Sequence, residues 1–179
     1  DTLSLNITDL GNVGAGGSLA ALGQVQMTVS PVNDPPQILL DPEGPGLLPS
    51  GGALGTDEDI PLSLEMFAIH DNEMSAGGGG RLTLSLQCSN GGIAVVWVVG
   101  GGAEAPGTGP WQAVVFSGGL AQVNAVLSKL EYVPSPHWHG VDELKVEASD
   151  NGYGGEGGVQ MASFSIQVAV VAVNDAPVV

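Results

Sequence analysis

Apolar and polar residues alternate along much of this chain, and a period of two marks strands with one buried face. Leu144, Val146 and Ala148 interleave with Lys145, Glu147 and Ser149, and Phe164, Ile166, Val168 and Val170 with Ser163, Ser165, Gln167 and Ala169. From Arg81 to Cys88 the even positions are apolar and the odd ones polar, which places Cys88 on a buried strand face. Residues 93–99 form a continuous apolar run around Trp97, and 111–116 are a further strand candidate. Gly and Pro cluster at 42–55, 77–80, 100–110 and 152–158, which predicts loops there. Leu120, Val123, Leu127 and Leu130 have helical spacing instead, predicting a short helix near 119–129 and an extended exit through 130–134. Short strands separated by turn signals predict an all-β protein: an antiparallel, immunoglobulin-like β-sandwich with one short helix.

The pattern also recurs. Residues 1–38 align with 142–179 without a gap, at an offset of 141. Asp1, Leu3, Asp9, Gly11, Gly14, Gly16 and Gly17 return as Asp142, Leu144, Asp150, Gly152, Gly155, Gly157 and Gly158. Gln26, Val29, Val32, Asn33, Asp34 and Pro36 return as Gln167, Val170, Val173, Asn174, Asp175 and Pro177. A period of this kind is the mark of tandem domains. Its phase predicts one complete unit over 33–173, the last hairpin of a preceding unit over 1–32, and a linker into the next over 174–179. A lone hairpin is marginal in water, so residues 1–32 are expected to belong with polypeptide outside this stretch, in a longer parent protein.

Composition narrows the functional classes. Lys and Arg number only 3 against 19 Asp and Glu, for a formal charge of −16. Such a chain repels nucleic acid and anionic lipid, so neither is an expected partner. With so few basic residues, divalent cations are the natural way to neutralise the carboxylates. Glycine is abundant at 29 residues but has no G-X-Y period, which excludes collagen. The single Cys88 excludes an internal disulfide framework.

The acids gather at predicted loop ends. Asn33-Asp34-Pro35-Pro36 and Asn174-Asp175-Ala176-Pro177 sit between units, Asp57-Glu58-Asp59 precedes a strand predicted over 60–64, Asp71-Asn72-Glu73 precedes the Gly-rich turn, and Asp150 closes a strand. Hard oxygen donors of this kind suit Ca²⁺, which accepts 6 to 8 oxygens in tolerant geometry. Asp and Asn are also common in turns for local reasons, and Asn-Asp-Pro-Pro is a stiff linker with or without an ion.

In this order the motifs resemble the cadherin-like repeats of very large surface proteins and adhesins. They run from Val32-Asn33-Asp34-Pro35-Pro36 through Asp57-Glu58-Asp59, Asp71-x-Glu73, Leu127-x-x-Leu130-x-Tyr132-x-Pro134 and Trp138-His139-Gly140-x-Asp142 to Ala148-x-Asp150-x-Gly152 and Val173-Asn174-Asp175-Ala176-Pro177. The resemblance implies calcium at the junctions between domains. At the N-terminal pole of the complete unit it implies Asn33, Asp34, Asp71, Glu73 and Asp150 as ligands. At the opposite pole it implies Glu58 with Asn174 and Asp175. Pro31 and Ala172 stand where the family usually has a further aspartate, and Pro35 and Ala176 where it has an asparagine, which implies fewer ions per junction.

Other chemistry is weaker. His137-x-His139 could offer two imidazoles to zinc, with His70 the remaining histidine, but surface or packing roles are commoner. There is no G-x-S-x-G elbow, and Gly77–Gly80 lacks the following Lys of a phosphate loop. Trp97 and Trp111 beside a Gly-rich loop are the best support for a glycan- or protein-binding module, and edge strands or Cys88 for filament assembly. Asn6-Ile7-Thr8 is a glycosylation acceptor sequence. The reading is a non-catalytic structural or adhesive repeat, extracellular or on the cell surface. Its expected partners are adjacent repeats of the same protein, with other surface or filament proteins or glycans as further candidates.

Overall fold

A computed structural model describes residues 1–11, 14–41, 53–77, 79–95 and 109–174, apart from the side chains of 76 and 77. The chain divides into two compact units, Asp1–Pro31 and Val32–Val179. The first is a hairpin of β1 (Thr2–Thr8) and β2 (Ala20–Gln26).

The second unit runs β3 (Gln37–Leu40), β4 (Ala53–Asp57), β5 (Leu62–Ser63), β6 (Phe67–His70), α1 (Asn72–Gly77), β7 (Leu82–Gln87) and β8 (Gly91–Val95). It continues with β9 (Ala113–Gly118), α2 (Leu120–Leu127), β10 (Leu130–Pro134), β11 (Gly140–Ser149) and β12 (Met161–Val171). Five strands form one sheet in the order β4-β12-β11-β7-β9, three form another as β5-β10-β8, and β3 pairs with β6. Among the described residues no helix is long and apolar enough to cross a membrane.

The alternation explains the strands. In β11, Asp142, Leu144, Val146 and Ala148 are buried while Val141, Glu143, Lys145 and Glu147 are exposed. In β7, Leu82, Leu84 and Leu86 are completely buried, and Cys88 continues that face. One hydrophobic core takes Leu54, Leu84, Phe116, Leu144 and Val168 from the larger sheet, and Leu62, Ile93, Leu130 and Tyr132 from the smaller. Phe67 and Ile69 of β6 join it, as do Val123 and Leu127 of α2. The predicted helix is α2, except that Leu130 belongs to β10. The Asn124 amide of α2 exchanges two 2.8 Å hydrogen bonds with the backbone of Ile69, pinning the helix to β6.

Five expectations need correction. A second helix, α1, occupies 72–77, because Asp71 Oδ1 accepts the Met74 amide at 2.8 Å and the Met74 side chain is buried. The pairing is not wholly antiparallel, since β4 lies parallel to β12 from Gln167↔Ala53 to Val171↔Asp57. That parallel partner makes a strand of 53–57, which begins inside a Gly/Pro cluster expected to be loop. The strand expected over 60–64 shrinks to β5, and Ile60 is exposed. Trp111 contributes only an isolated bridge to Ile93 ahead of β9. The rest of the apolar run beyond Val95, Trp97 included, lies outside the described residues.

The sequence repeat has a structural counterpart. Leu3↔Val25 and Leu5↔Gly23 of the first hairpin match Leu144↔Ile166 and Val146↔Phe164 of the second at the same offset. The turns match as well. Asp9 Oδ1 accepts the amides of Gly11 (2.9 Å) and Leu19 (2.8 Å), and Asp150 Oδ1 those of Gly152 (2.7 Å) and Gln160 (2.8 Å). These amide hydrogen bonds hold the Asp9 carboxyl below its ordinary range. Gly11 and Gly152 both have left-handed φ, +76° and +80°, which a side chain would oppose.

Buried Asp142 organises the other end of β11. It accepts the amides of Ser89 (3.0 Å), Asn90 (2.8 Å) and Glu143 (2.9 Å) and the Tyr132 hydroxyl (3.0 Å). Burial first, and the Asp142 charge second, push the Cys88 thiol up to about 11, and similar causes raise the Tyr132 hydroxyl. Cys88 is therefore expected to resist iodoacetamide at pH 8 in the native protein and to react on unfolding, as mass spectrometry of pulsed samples would show. Between the thiol's ordinary 9.0 and about 11 the unfolded chain ionises first, so this group lowers stability as pH rises through that window.

Candidate metal centre

Asn33 is the hinge of the N-terminal pole. Its amide nitrogen donates to Glu156 O at 2.8 Å, within a parallel bridge between Val32 and Glu156. Its side-chain Nδ2 donates to Gly158 O at 2.7 Å and to Asp150 Oδ2. Two acceptors on one side fix the orientation of the amide, so Oδ1 is the atom left for the other side. It lies next to Glu73. The point where a Cβ on Gly154 would stand is 2.5 Å from Glu73 Cγ and 2.8 Å from Asn33 Oδ1.

Asp71 enters the same region from the start of α1. Its carboxylate is almost fully buried, and Oδ1 is taken by the Met74 amide. Three buried oxygens in this pole have no hydrogen-bond partner among the described residues: Asn33 Oδ1, Asp71 Oδ2 and Glu73 Oε2. Leaving a buried polar atom unpaired costs ~1–3 kcal/mol, more for a charged group. Asp34 is exposed, and with Pro35, Gln37, His70, Asp71 and Asn72 it lines a cleft of about 230 Å³. The five residues of this pole thus fall in two groups, with Asp71 and Glu73 only two positions apart in the chain. Asn33, Asp150 and Glu73 meet at the glycine loop, and Asp34 meets Asp71 at the cleft.

The opposite pole is built differently. Glu58 is buried, its amide donates to Val171 O at 2.8 Å, and its Oε1 accepts the Val173 amide at 2.6 Å. Its Oε2 lies 3.8 Å from His139 Nδ1. Asp59, at φ +61°, accepts the His137 amide at 3.0 Å, with Oδ2 3.5 Å from His137 Nδ1. Asn174 is exposed, and Asp175 lies outside the described residues. Glu58 therefore ties β4 to the chain leaving β12, and the described residues bring only exposed Asn174 near that exit. The histidines do not gather: His137 and His139 face Asp59 and Glu58, whereas His70 lines the cleft of the first pole.

Among the described residues, no three Asp, Glu, His or Cys side chains stand close enough to hold a metal by themselves. The donor set at the first pole is a mixed one, an amide oxygen with carboxylates, which is chemistry suited to a hard cation. Sequence reasoning missed Gly154 and Gly158. Gly158 supplies the carbonyl that orients Asn33, and Gly154 leaves the space beside Glu73. Their signal was the Gly-rich 152–158 loop, which reads only as a turn until its fold is known. Trp111 is half-buried against the core, and its backbone exchanges hydrogen bonds of 2.7 and 3.0 Å with Ile93.

No protein-family profile, curated protein or solved structure matches the chain.

The packing beside Gly154 leads to a direct expectation. Gly154→Ala puts a methyl group into the Glu73 side chain at a residue of φ +130°, a backbone strain of ~1–3 kcal/mol. Urea unfolding should show a loss of that size.

Proposed function

We propose that the chain is a non-catalytic structural or adhesive repeat of a large extracellular protein. In this reading the second unit is a cadherin-like sandwich whose junction with its neighbour is stiffened by Ca²⁺. The observation that carries it is the set of three buried, unpartnered oxygens on Asn33, Asp71 and Glu73. A divalent cation bound at this pole would supply what such acceptor oxygens lack and offset the cost of burying them unpaired. Asp34 and Asp150 are the further ligands of that reading, and Glu58, Asn174 and Asp175 the set at the other pole.

The location of the oxygens supports a mechanical role. Asn33 lies directly after the 31/32 boundary between the compact units, so an ion held there would restrict the chain where it enters the second unit. Coupling between ion binding and rigidity follows, because like charges repel until the cation binds.

Calorimetry with and without Ca²⁺ tests the proposal. An ion at 100 times its dissociation constant stabilises by about 2.7 kcal/mol, which raises Tm by roughly 5–10 °C in a domain of this size. A chelator should reverse the rise. Asp71→Asn combined with Glu73→Gln should abolish the response without unfolding the protein. An unchanged Tm across millimolar Ca²⁺ and chelator would sink the metal part.

A further inference from the structure

The first hairpin carries an apolar face whose counterpart in the second unit is closed over. Leu3, Leu5, Ile7 and Val25 are 49%, 48%, 67% and 50% exposed. At the same register, Leu144, Val146, Ala148 and Ile166 are 0%, 0%, 0% and 6% exposed. Identical pairing and identical aspartate turns make these two hairpins the same object in two settings.

The strand lengths show what differs between the settings. β12 runs to Val171, but β2 stops at Gln26, the counterpart of Gln167. Gln167–Val171 is the stretch that β4 pairs in parallel, so β2 ends where that pairing would begin. Met27 and Val29, 47% and 83% exposed, correspond to Val168 and Val170, which are buried by that arrangement. On the other edge, β7 pairs Lys145–Ser149, the counterparts of residues 4–8. Among the described residues, both edges and one face of the first hairpin thus have no partner in the positions where β4, β7 and the core meet the second.

We infer that this hairpin is a docking surface for a layer of polypeptide built like residues 53–134 of this chain. Such a layer would bring a β4-like strand to 26–30, a β7-like strand to 4–8, and a core onto Leu3, Leu5, Ile7 and Val25. The layer must differ from 53–134 in one respect. Gly23 replaces Phe164, whose ring stands edge-on to Phe67 at 6.0 Å, while Leu5 and Ile7 replace the smaller Val146 and Ala148. The cognate layer therefore carries extra bulk opposite Gly23 and less opposite Ile7. It is a matched partner and not an interchangeable one.

The test joins residues 33–141 of this chain ahead of Asp1, so that residue 141 precedes Asp1 as it precedes Asp142. Hydrogen exchange is followed in excess chelator, which separates the result from the calcium proposal. In the fused chain, amides of 2–8 and 26–30 should slow by on the order of 100-fold relative to the 179-residue chain. Leu5→Val, Ile7→Ala and Gly23→Phe together give three positions of the face the residues of the second hairpin and should slow them further. If the hairpin exchanges equally fast in the 179-residue, fused and triply substituted fused chains, the inference fails. It also fails if the 179-residue chain forms a dimer in sedimentation that Leu5→Asp abolishes, because a second copy would then be the occupant.

Discussion

The pairing of β11 with β12, ten residues in continuous register, is the constraint on which the second unit depends. Because side chains alternate, that register commits Leu144, Val146, Ala148, Ile166 and Val168 to one face, and slipping it by one residue would turn all of them to water. The hairpin then recruits β7 on one edge and β4 on the other. Its two ends also set the poles. The turn end carries Asp150 and the glycine loop that receives Asn33, and the open end carries Asp142 and the exit held by Glu58.

Features that depend on this alternation were legible in the sequence, and those that depend on a partner were not. Residues 82–87, 140–149 and 161–171 announce themselves because one face is buried and the other wet. β4 has no such pattern over Ala53-Leu54-Gly55-Thr56-Asp57; only Leu54 is fully buried, and the strand exists through backbone bonds to β12. α1 is too short for any periodicity and owes its existence to one cap at Asp71 and one anchor at Met74. At the first pole the residue types were legible from their clustering. The direction of the Asn33 amide was not, since it depends on a carbonyl 125 positions away in the glycine loop.

The repeat was legible for a different reason. Asp9 and Asp150 each bind two backbone amides across a turn that needs glycines in left-handed conformations, so the turn constrains several positions at once. Positions that only face a partner are freer. That is why Phe164 can become Gly23 while the aspartate and the glycines recur.

The same turns show how an acidic chain with 3 basic residues disposes of its charge. Asp142 is satisfied by three amides and a hydroxyl, Asp150 by two amides and the Asn33 side chain, and Glu58 in part by the Val173 amide. Backbone donors stabilise a carboxylate without a basic side chain. Each strand end offers only a few free amides, however, and the supply is finite. At Asp71 the Met74 amide serves one oxygen and leaves the other without a donor among the described residues, and Glu73, inside the first turn of the same helix, has one buried oxygen in the same condition. With the Asn33 amide turned by Asp150 and Gly158, the third unserved oxygen belongs to this pole too. The network that satisfies Asp150 is thus what leaves an oxygen over, and in the proposed calcium-bound form a cation would serve a remainder made only of acceptors.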